Sequence, residues 1–424
     1  MPKITIGRDE KDREQYGAEK ATALIGKNIV GERGEAHLAN PVRMDIARPH
    51  VVGVFGKRGE GKSYTLGVMA EELLKAEEEV SNNISTIIID SMGIYWSMKF
   101  PNEDDAVLLS DWDEQPEAID LDLCIPKGHA EKFRDREIPF DKTFTLKPSD
   151  LSAADWAMAF DMELNSPRGI LLERVLRELE GEYGIEEIIQ QIRGAEDFEE
   201  DVKKGLINRF QAAEDWGILS KHGTDLEEFT ERGGLKVLDV SMFQGIRGTW
   251  SVRSLVVGLL AKKLLQKRLA SKRLEEIQET EGKLTSESPI VWMIIDEAHQ
   301  FLPNDHKTPA SDSLLSWVKI GREPGVSLVM ATQQPYKLHP DALSQCDTII
   351  SHRLTAKKDI EALKNIMQTY MKYDLSTYID NLPRKKGAAI CLDDNSERVY
   401  SVRIRPRLSW HAGGTPTALK QGRT

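Results

Sequence analysis

The chain has 424 residues, 40% hydrophobic and 30% charged, the balance of a folded globular protein and not of a disordered one, with room for two or three domains at ~150 residues each. Its formal net charge of −12 argues against a protein that coats nucleic acid with its whole surface, while a basic channel lined by a minority of residues stays open. Nothing approaches the ~18 consecutive apolar residues of a membrane span, and MPKITIGRDEKDREQ lacks a signal-peptide pattern, so a cytoplasmic protein with no membrane association is expected.

Residues 1–49 are polar and glycine-punctuated, with alternating stretches such as VRMDIA, and predict a short N-terminal β element packed against the next segment of the chain. From His50 the pattern becomes strand, turn, helix: apolar HVVGVF, the loop GKRGEGKS, then KSYTLGVMAEELLKAEEE with helical periodicity. A second strand, TIIID, ends at Asp90. The adjoining SMGIYWSMK carries Tyr95 and Trp96, which suit core anchoring better than a channel wall. Residues 150–230 are acidic, helical in pattern and free of β-rich runs, an all-helical insertion between sheet strands.

The sheet resumes at LKVLDV, Leu235 to Val240, and a long helix is predicted from Ser251 to about Glu279. Val256, Leu260 and Leu264 mark its apolar side. Lys262, Lys263, Lys267, Arg268, Lys272 and Arg273 make it basic, either a solvated face or a nucleic-acid contact. Strands PIVWMIID, VSLVMAT and TIISHRL come next, and the polar end WHAGGTPTALKQGRT reads as an unpacked tail or an arm over another surface. Strands alternating with helices indicate an α/β fold with a mostly parallel sheet flanked by helices. The core then comprises 50–149 and 231–410, and the tail 411–424. Cys124, Cys346 and Cys391 have no partner at metal-ligand spacing and read as buried thiols.

The loop after the first core strand has the chemistry of a phosphate cradle. Gly56, Gly59 and Gly61 let backbone N–H groups close on phosphate oxygens. Lys62 would reach the β- and γ-phosphates, and Ser63 would offer its hydroxyl to Mg²⁺ at a helix N-terminus. The nucleotide-binding stretch is taken as Gly56, Lys57, Arg58, Gly59, Glu60, Gly61, Lys62, Ser63 and Tyr64. Hydrolysis also needs a carboxylate for the metal and a group that positions water. IVWMIIDEAH supplies both: Asp296 for Mg²⁺ and Glu297 for the water, although two acids ending an apolar run in isolation equally suit a helix cap. Gln333 in MATQQP stands at a strand tip where an amide can sense the γ-phosphate, or simply turn into Pro335. Arg322 in IGREPGV either complements a helix dipole or acts as an arginine finger, a device that accelerates phosphoryl transfer by roughly 10³- to 10⁵-fold.

Together, GKRGEGKS, IIDEAHQFLP, GREPGVSLVMATQQP and LSQCDTIISHRL resemble the HerA branch of the HerA–FtsK superfamily of ring ATPases, over about residues 20 to 410. The resemblance implies a RecA-like P-loop core, a homo-oligomer of hexameric form, ATP at subunit interfaces and double-stranded DNA moving through the central hole. It gives Lys62 and Ser63 to phosphate and Mg²⁺, Asp296 and Glu297 to the Walker B pair, Gln333 to a sensor and Arg322 to a finger acting in trans. Arg353 in HRL matches a recurrent arginine, and RIRPRLSWHAGG matches the family's closing segment. Family members usually carry a longer N-terminal β-barrel that docks a nuclease, whereas here the P-loop starts after 55 residues. Gln334 stands where the family often has arginine. Shorter chains of this type are similar to ATPases encoded beside nucleases or sirtuin-like NAD hydrolases in antiviral systems.

Two other readings compete. DEAH, Asp296 to His299, suggests a superfamily-two helicase, but no QRxGRxGR exists and 234 residues separate Lys62 from Asp296. A nucleotide-gated scaffold that assembles and activates a partner enzyme, without processive DNA movement, is favoured by the acidic balance and opposed by the basic helix.

Overall fold

Runs such as Val51–Phe55, Ile84–Asp90 and Ile290–Ile295 are dense in β-branched and aliphatic residues and are buried almost throughout, as strands covered on both faces require. The computed structural model describes residues 4–31, 36–243, 250–283, 288–367 and 375–413. Its strands are β1 (Ile4–Ile6), β2 (Thr22–Val30), β3 (His37–Asp45), β4 (Val51–Phe55), β5 (Ile84–Asp90), β6 (Asp122–Pro126), β7 (Lys142–Phe144), β8 (Leu235–Asp239), β9 (Ile290–Ile295), β10 (Val326–Thr332), β11 (Thr348–His352), β12 (Ala388–Asp393) and β13 (Arg398–Ile404). All belong to one 13-stranded sheet in the order β1-β3-β2-β13-β12-β11-β4-β10-β9-β5-β8-β6-β7.

From β11 to β7 every pairing is parallel, which establishes the expected α/β core. The crossover from β4 to β5 skips two positions, and β9 and β10 later fill them. That insertion brings the ends of β4, β9 and β10 together. Alternate residues of β9 serve opposite cores. Trp292 and Ile294 pack on the side of the helix Lys62–Lys75, and Val291, Met293 and Ile295 on the side of the long helix Trp250–Thr280.

The N-terminal β element is built of β1, β2 and β3. β2 pairs antiparallel with β13, β3 with β2, and β1 runs parallel to β3, so these strands extend the main sheet. Their backbone edges are satisfied by the C-terminal strands, whose partners cannot be inferred from local pattern. Buried ion pairs seal the join: Arg8 Nε donates to Asp45 Oδ1 at 2.6 Å, and His50 lies between Asp45 (3.1 Å) and Asp347 (3.0 Å).

Helices Ala153–Ala159, Pro167–Glu178, Ile185–Gly194 and Glu200–Glu214 form the region expected to be all-helical. Ser152 and Asp155 form a capping box at its start, and Trp156, Phe160 and Phe210 pack with ring centroids 4.9 to 5.3 Å apart.

The long basic helix is less available to nucleic acid than its composition implies. Lys263 pairs with Asp150 at 2.7 Å, Lys267 donates to the Glu227 carbonyl and Lys272 lies 3.6 Å from Glu276. Arg268 is buried and donates to the Pro324 and Ser288 carbonyls. The start of the polar C-terminal stretch is packed: Trp410 N–H donates to the Phe100 carbonyl, and its ring meets Trp96 edge-on. The rest of the expected tail, 414–424, lies outside the described residues.

Candidate functional site

The glycine loop leaves the C-terminal end of β4 and enters the helix Lys62–Lys75. Gly59 and Gly61 hold φ of 81° and 114°, left-handed values that glycine adopts without Cβ strain. Gly56 lies against the end of β11, where an added Cβ would fall 2.6 Å from His352 Cβ. Lys57 N–H donates to the Arg353 carbonyl at 3.0 Å, and Lys57 Nζ pairs with Glu60 at 3.2 Å. Arg58 is exposed. Lys62 Nζ donates to the Lys57 carbonyl at 3.3 Å. Burial lowers its pKa, opposed by the charges of Glu297 and Asp296.

Two strands away, β9 ends in the acids. Ser63 Oγ donates to Asp296 Oδ2 at 2.5 Å, joining loop and strand across 233 residues of chain. Asp296 is fully enclosed and burial raises its pKa, while Ser63, Lys62 and Tyr95 pull it back. A hydroxyl and a carboxylate facing each other form the hard oxygen donor pair that suits Mg²⁺.

Glu297 holds a left-handed backbone conformation, φ 53° and ψ 45°, sparsely populated by non-glycine residues and concentrated at functional sites. Its Oε1 accepts from Gln333 Nε2 at 3.0 Å. Burial first, and then the neighbouring Asp296 charge, push its pKa up to about 7. His299 is held neutral, its pKa pulled down to about 4 by burial and the nearby lysines, so its 3.4 Å approach to Glu297 Oε2 is no ion pair. The Thr332 hydroxyl lies within hydrogen-bond distance of its Nδ1, at 2.9 Å, and accepts from Gln334 N–H at 3.0 Å. Glu297 Oε2 has no hydrogen-bond partner among the described residues, which leaves an acceptor where a water can be aligned.

Of the residues read from sequence, Gly56, Lys57, Gly59, Glu60, Gly61, Lys62, Ser63, Asp296, Glu297 and Gln333 gather at one sheet edge. Tyr64 follows Ser63, but its hydroxyl accepts from Arg407 N–H at 2.7 Å and donates to Asp105 at 3.2 Å, fastening the C-terminal segment. Arg322 is exposed in the turn before β10. The seven residues of β10, at ~3.3 Å each, place it roughly 20 Å from Gln333 at the opposite sheet edge. A distance of that order excludes contact with its own site.

Sequence reading underrated Tyr95. Its hydroxyl lies 3.4 Å from Asp296 Oδ2 and from the Ser63 carbonyl. Asp90 sets that position by accepting the N–H groups of Met92, Gly93, Ile94 and Tyr95 at 2.7 to 3.0 Å. The only signal in the sequence was a tyrosine five residues after a strand-terminal aspartate.

A parallel sheet with a glycine cradle at the end of β4 and two acids at the end of β9, with β10 between them, defines a RecA-like P-loop ATPase. Residues 34–242 match the family described as Helicase HerA, central domain, and 269–399 match Helicase HerA-like C-terminal. The chain belongs to the HerA-like ATPases of the HerA–FtsK superfamily. It is 31% identical over 149 residues to the DNA double-strand break repair helicase HerA of Pyrococcus furiosus, covering 34% of this chain and 26% of that one. It is 25% identical to the probable helicase MJECL08 of Methanocaldococcus jannaschii, covering 74% of this chain and 59% of that one. The match thus spans about a quarter of the length of the Pyrococcus relative. VirB4 of Thermoanaerobacter pseudethanolicus has a similar fold, with a TM-score of 0.56 at 13% identity, covering 91% of this chain and 97% of that chain. Among the described residues no helix is long and apolar enough to cross a membrane.

Proposed function

We propose that the chain hydrolyses ATP as one subunit of a ring-shaped motor acting on double-stranded DNA. The buried Oε2 of Glu297, without a hydrogen-bond partner among the described residues, beside Lys62 and the Ser63–Asp296 pair carries this reading. Lys62 and the loop N–H groups bind the phosphates, and Ser63 and Asp296 hold Mg²⁺, which on binding neutralises charge on the γ-phosphate. Glu297 orients the water. Gln333, bonded to Glu297, transmits the state of the site into β10.

Arg322 completes a neighbouring subunit's site in trans, because its position denies it the nucleotide of its own chain. A homo-oligomer, expected to be a hexamer, follows from that requirement. The relatives' names, which include DNA double-strand break repair helicase, support DNA as substrate. A nuclease or NAD hydrolase is the effector chemistry proposed to work with the ring, in DNA processing or antiviral defence.

A second reading, the nucleotide-gated scaffold that activates such an effector without moving DNA, is favoured by the internal pairing of Lys263, Lys267, Arg268 and Lys272. ATP turnover with and without duplex separates the two. Stimulation by duplex, steeply weakened by salt as phosphate contact demands, is expected of the motor. Turnover indifferent to duplex overturns the motor and leaves the scaffold.

A further inference from the structure

Arg403, Arg405 and Arg407 lie at the end of β13 and just beyond it, and the last two face acids. Arg405 pairs with Glu71 and Glu72, each at 2.9 Å. Arg407 lies 3.5 Å from Glu71 and donates to Ser409 Oγ at 2.8 Å. Arg403 differs. Its Nη1 is buried with no hydrogen-bond partner among the described residues, and none of their carboxylates makes an ion pair with its guanidinium. Arg405 Nη2 and Arg407 Nε are also without a hydrogen-bond partner among the described residues, but Glu71 and Glu72 meet those two charges, whereas the half-buried Arg403 has no facing acid among them and keeps its charge for an anionic ligand.

The sheet registers say which ligand. Phe55 pairs with Ser351, His352 with Ala389, and Ala388 with Arg403, so Arg403 lies on the same edge as the end of β4. Gly387 stands between it and the phosphate loop. A Cβ built on Gly387 would lie 3.8 Å from Arg403 Cζ, and one on Gly61 would lie 3.8 Å from Gly387 Cα. Arg384, Lys385 and Lys386, exposed in the turn before Gly387, add positive potential there.

The strand order fixes the polarity of the bound chain of phosphates. β10 and β9, with Gln333, Asp296 and Glu297, flank β4 on one side; β11, β12 and β13 lie on the other. The γ-phosphate must face the acids and the metal, so the α-phosphate points towards β13. We propose that Arg403 is a nucleotide-binding residue whose guanidinium takes the α-phosphate at the end of the cradle remote from Asp296 and Glu297. It is a cis contact, distinct from the trans role given to Arg322, and it rests on the reading that the loop binds ATP.

The test measures dissociation constants for ATP and for ADP by calorimetry on the full chain, with the apo unfolding temperature alongside. ADP shares the α-phosphate, so Arg403→Gln is expected to weaken both nucleotides by a similar factor, roughly 10- to 100-fold for a lost charge-assisted contact. Arg403→Lys should recover part of the loss, as a point charge without the fork. The apo unfolding temperature should hold, since no hydrogen bond or ion pair of the Arg403 guanidinium among the described residues is removed. Unchanged affinities in Arg403→Gln, or lost affinity accompanied by a lowered apo unfolding temperature, would overturn the assignment. Failure of the unsubstituted chain to bind ATP would instead sink the function on which it rests.

Discussion

Gln333 on the tip of β10 donates its side-chain amide to Glu297 on the tip of β9 at 3.0 Å. The two strands are hydrogen-bonded neighbours, so a change in the charge or position of Glu297 is felt by the backbone that leads from Thr332 into the next turn. Glu297 also keeps one carboxylate oxygen without a partner among the described residues. That arrangement suits the roles proposed for the pair, a water-positioning acid and a reporter of its state.

Glu297→Gln should still bind ATP but turn it over roughly 10²- to 10⁴-fold more slowly, the range for loss of a positioned acid or base. The measurement is steady-state phosphate release alongside nucleotide retention on the protein. Turnover within a factor of two of the parent would remove Glu297 from the reaction.

Lys62→Ala should cut ATP affinity by roughly 10- to 100-fold, because a charge-assisted contact to phosphate is lost. Calorimetric titration with ATP reads this directly. Intact affinity would contradict the loop assignment itself.

Arg322→Ala should be inactive alone yet regain turnover when mixed with Glu297→Gln subunits. At mixed interfaces an intact arginine from one chain then meets intact acids from the other. Turnover across a series of mixing ratios decides it. A flat, inactive series would return Arg322 to helix-dipole complementation.

Glu71→Ala should destabilise the fold by about 3–5 kcal/mol, the range for breaking a buried pair, because Glu71 accepts from Arg405, from Ser409 Oγ and from the N–H groups of Leu408 and Ser409. Glu276→Ala, which removes the exposed partner of Lys272, should cost under ~1 kcal/mol. Urea midpoints at matched m-values separate the cases. Equal costs would deny that the C-terminal segment is anchored on the P-loop helix.

His50 makes stability pH-dependent in a direction opposite to that of an isolated buried histidine. Burial opposes its charge, but Asp347 and Asp45 outweigh burial and raise its pKa from 6.5 to about 10. Between those values the native state keeps a proton that the unfolded chain has lost. The contribution is therefore complete below pH ~6.5 and disappears as the pH climbs to about 10. Unfolding temperature should fall across that window, and the slope should flatten in His50→Gln. Parallel slopes would show that the proton resides elsewhere.

Much of the ATPase core was legible because its chemistry is written in contiguous runs. A buried strand, a glycine loop and a helix must follow one another for phosphate to be cradled, and Asp296, Glu297 and Gln333 each terminate an apolar run whose end is the sheet edge. The hidden part depends on pairs far apart in the chain. Tyr95 is the core aromatic that its sequence suggests, and only the fold places its hydroxyl beside Asp296. The basic helix reads as either a solvated face or a nucleic-acid contact, and only the fold shows Lys263 meeting Asp150 and Arg268 meeting the turn that carries Arg322.

Local sequence thus singled out the residues proposed for the phosphate chemistry, since backbone conformation and hydrophobic period act over a few neighbours. Tertiary structure alone decided where their charges end. Ion-pair partners, exposure and the side of the sheet are set by strand order, which brings β4 beside β10 and β13 beside β2 although hundreds of residues separate them. Coulombic and desolvation energies depend on distance through space, and no local pattern encodes that.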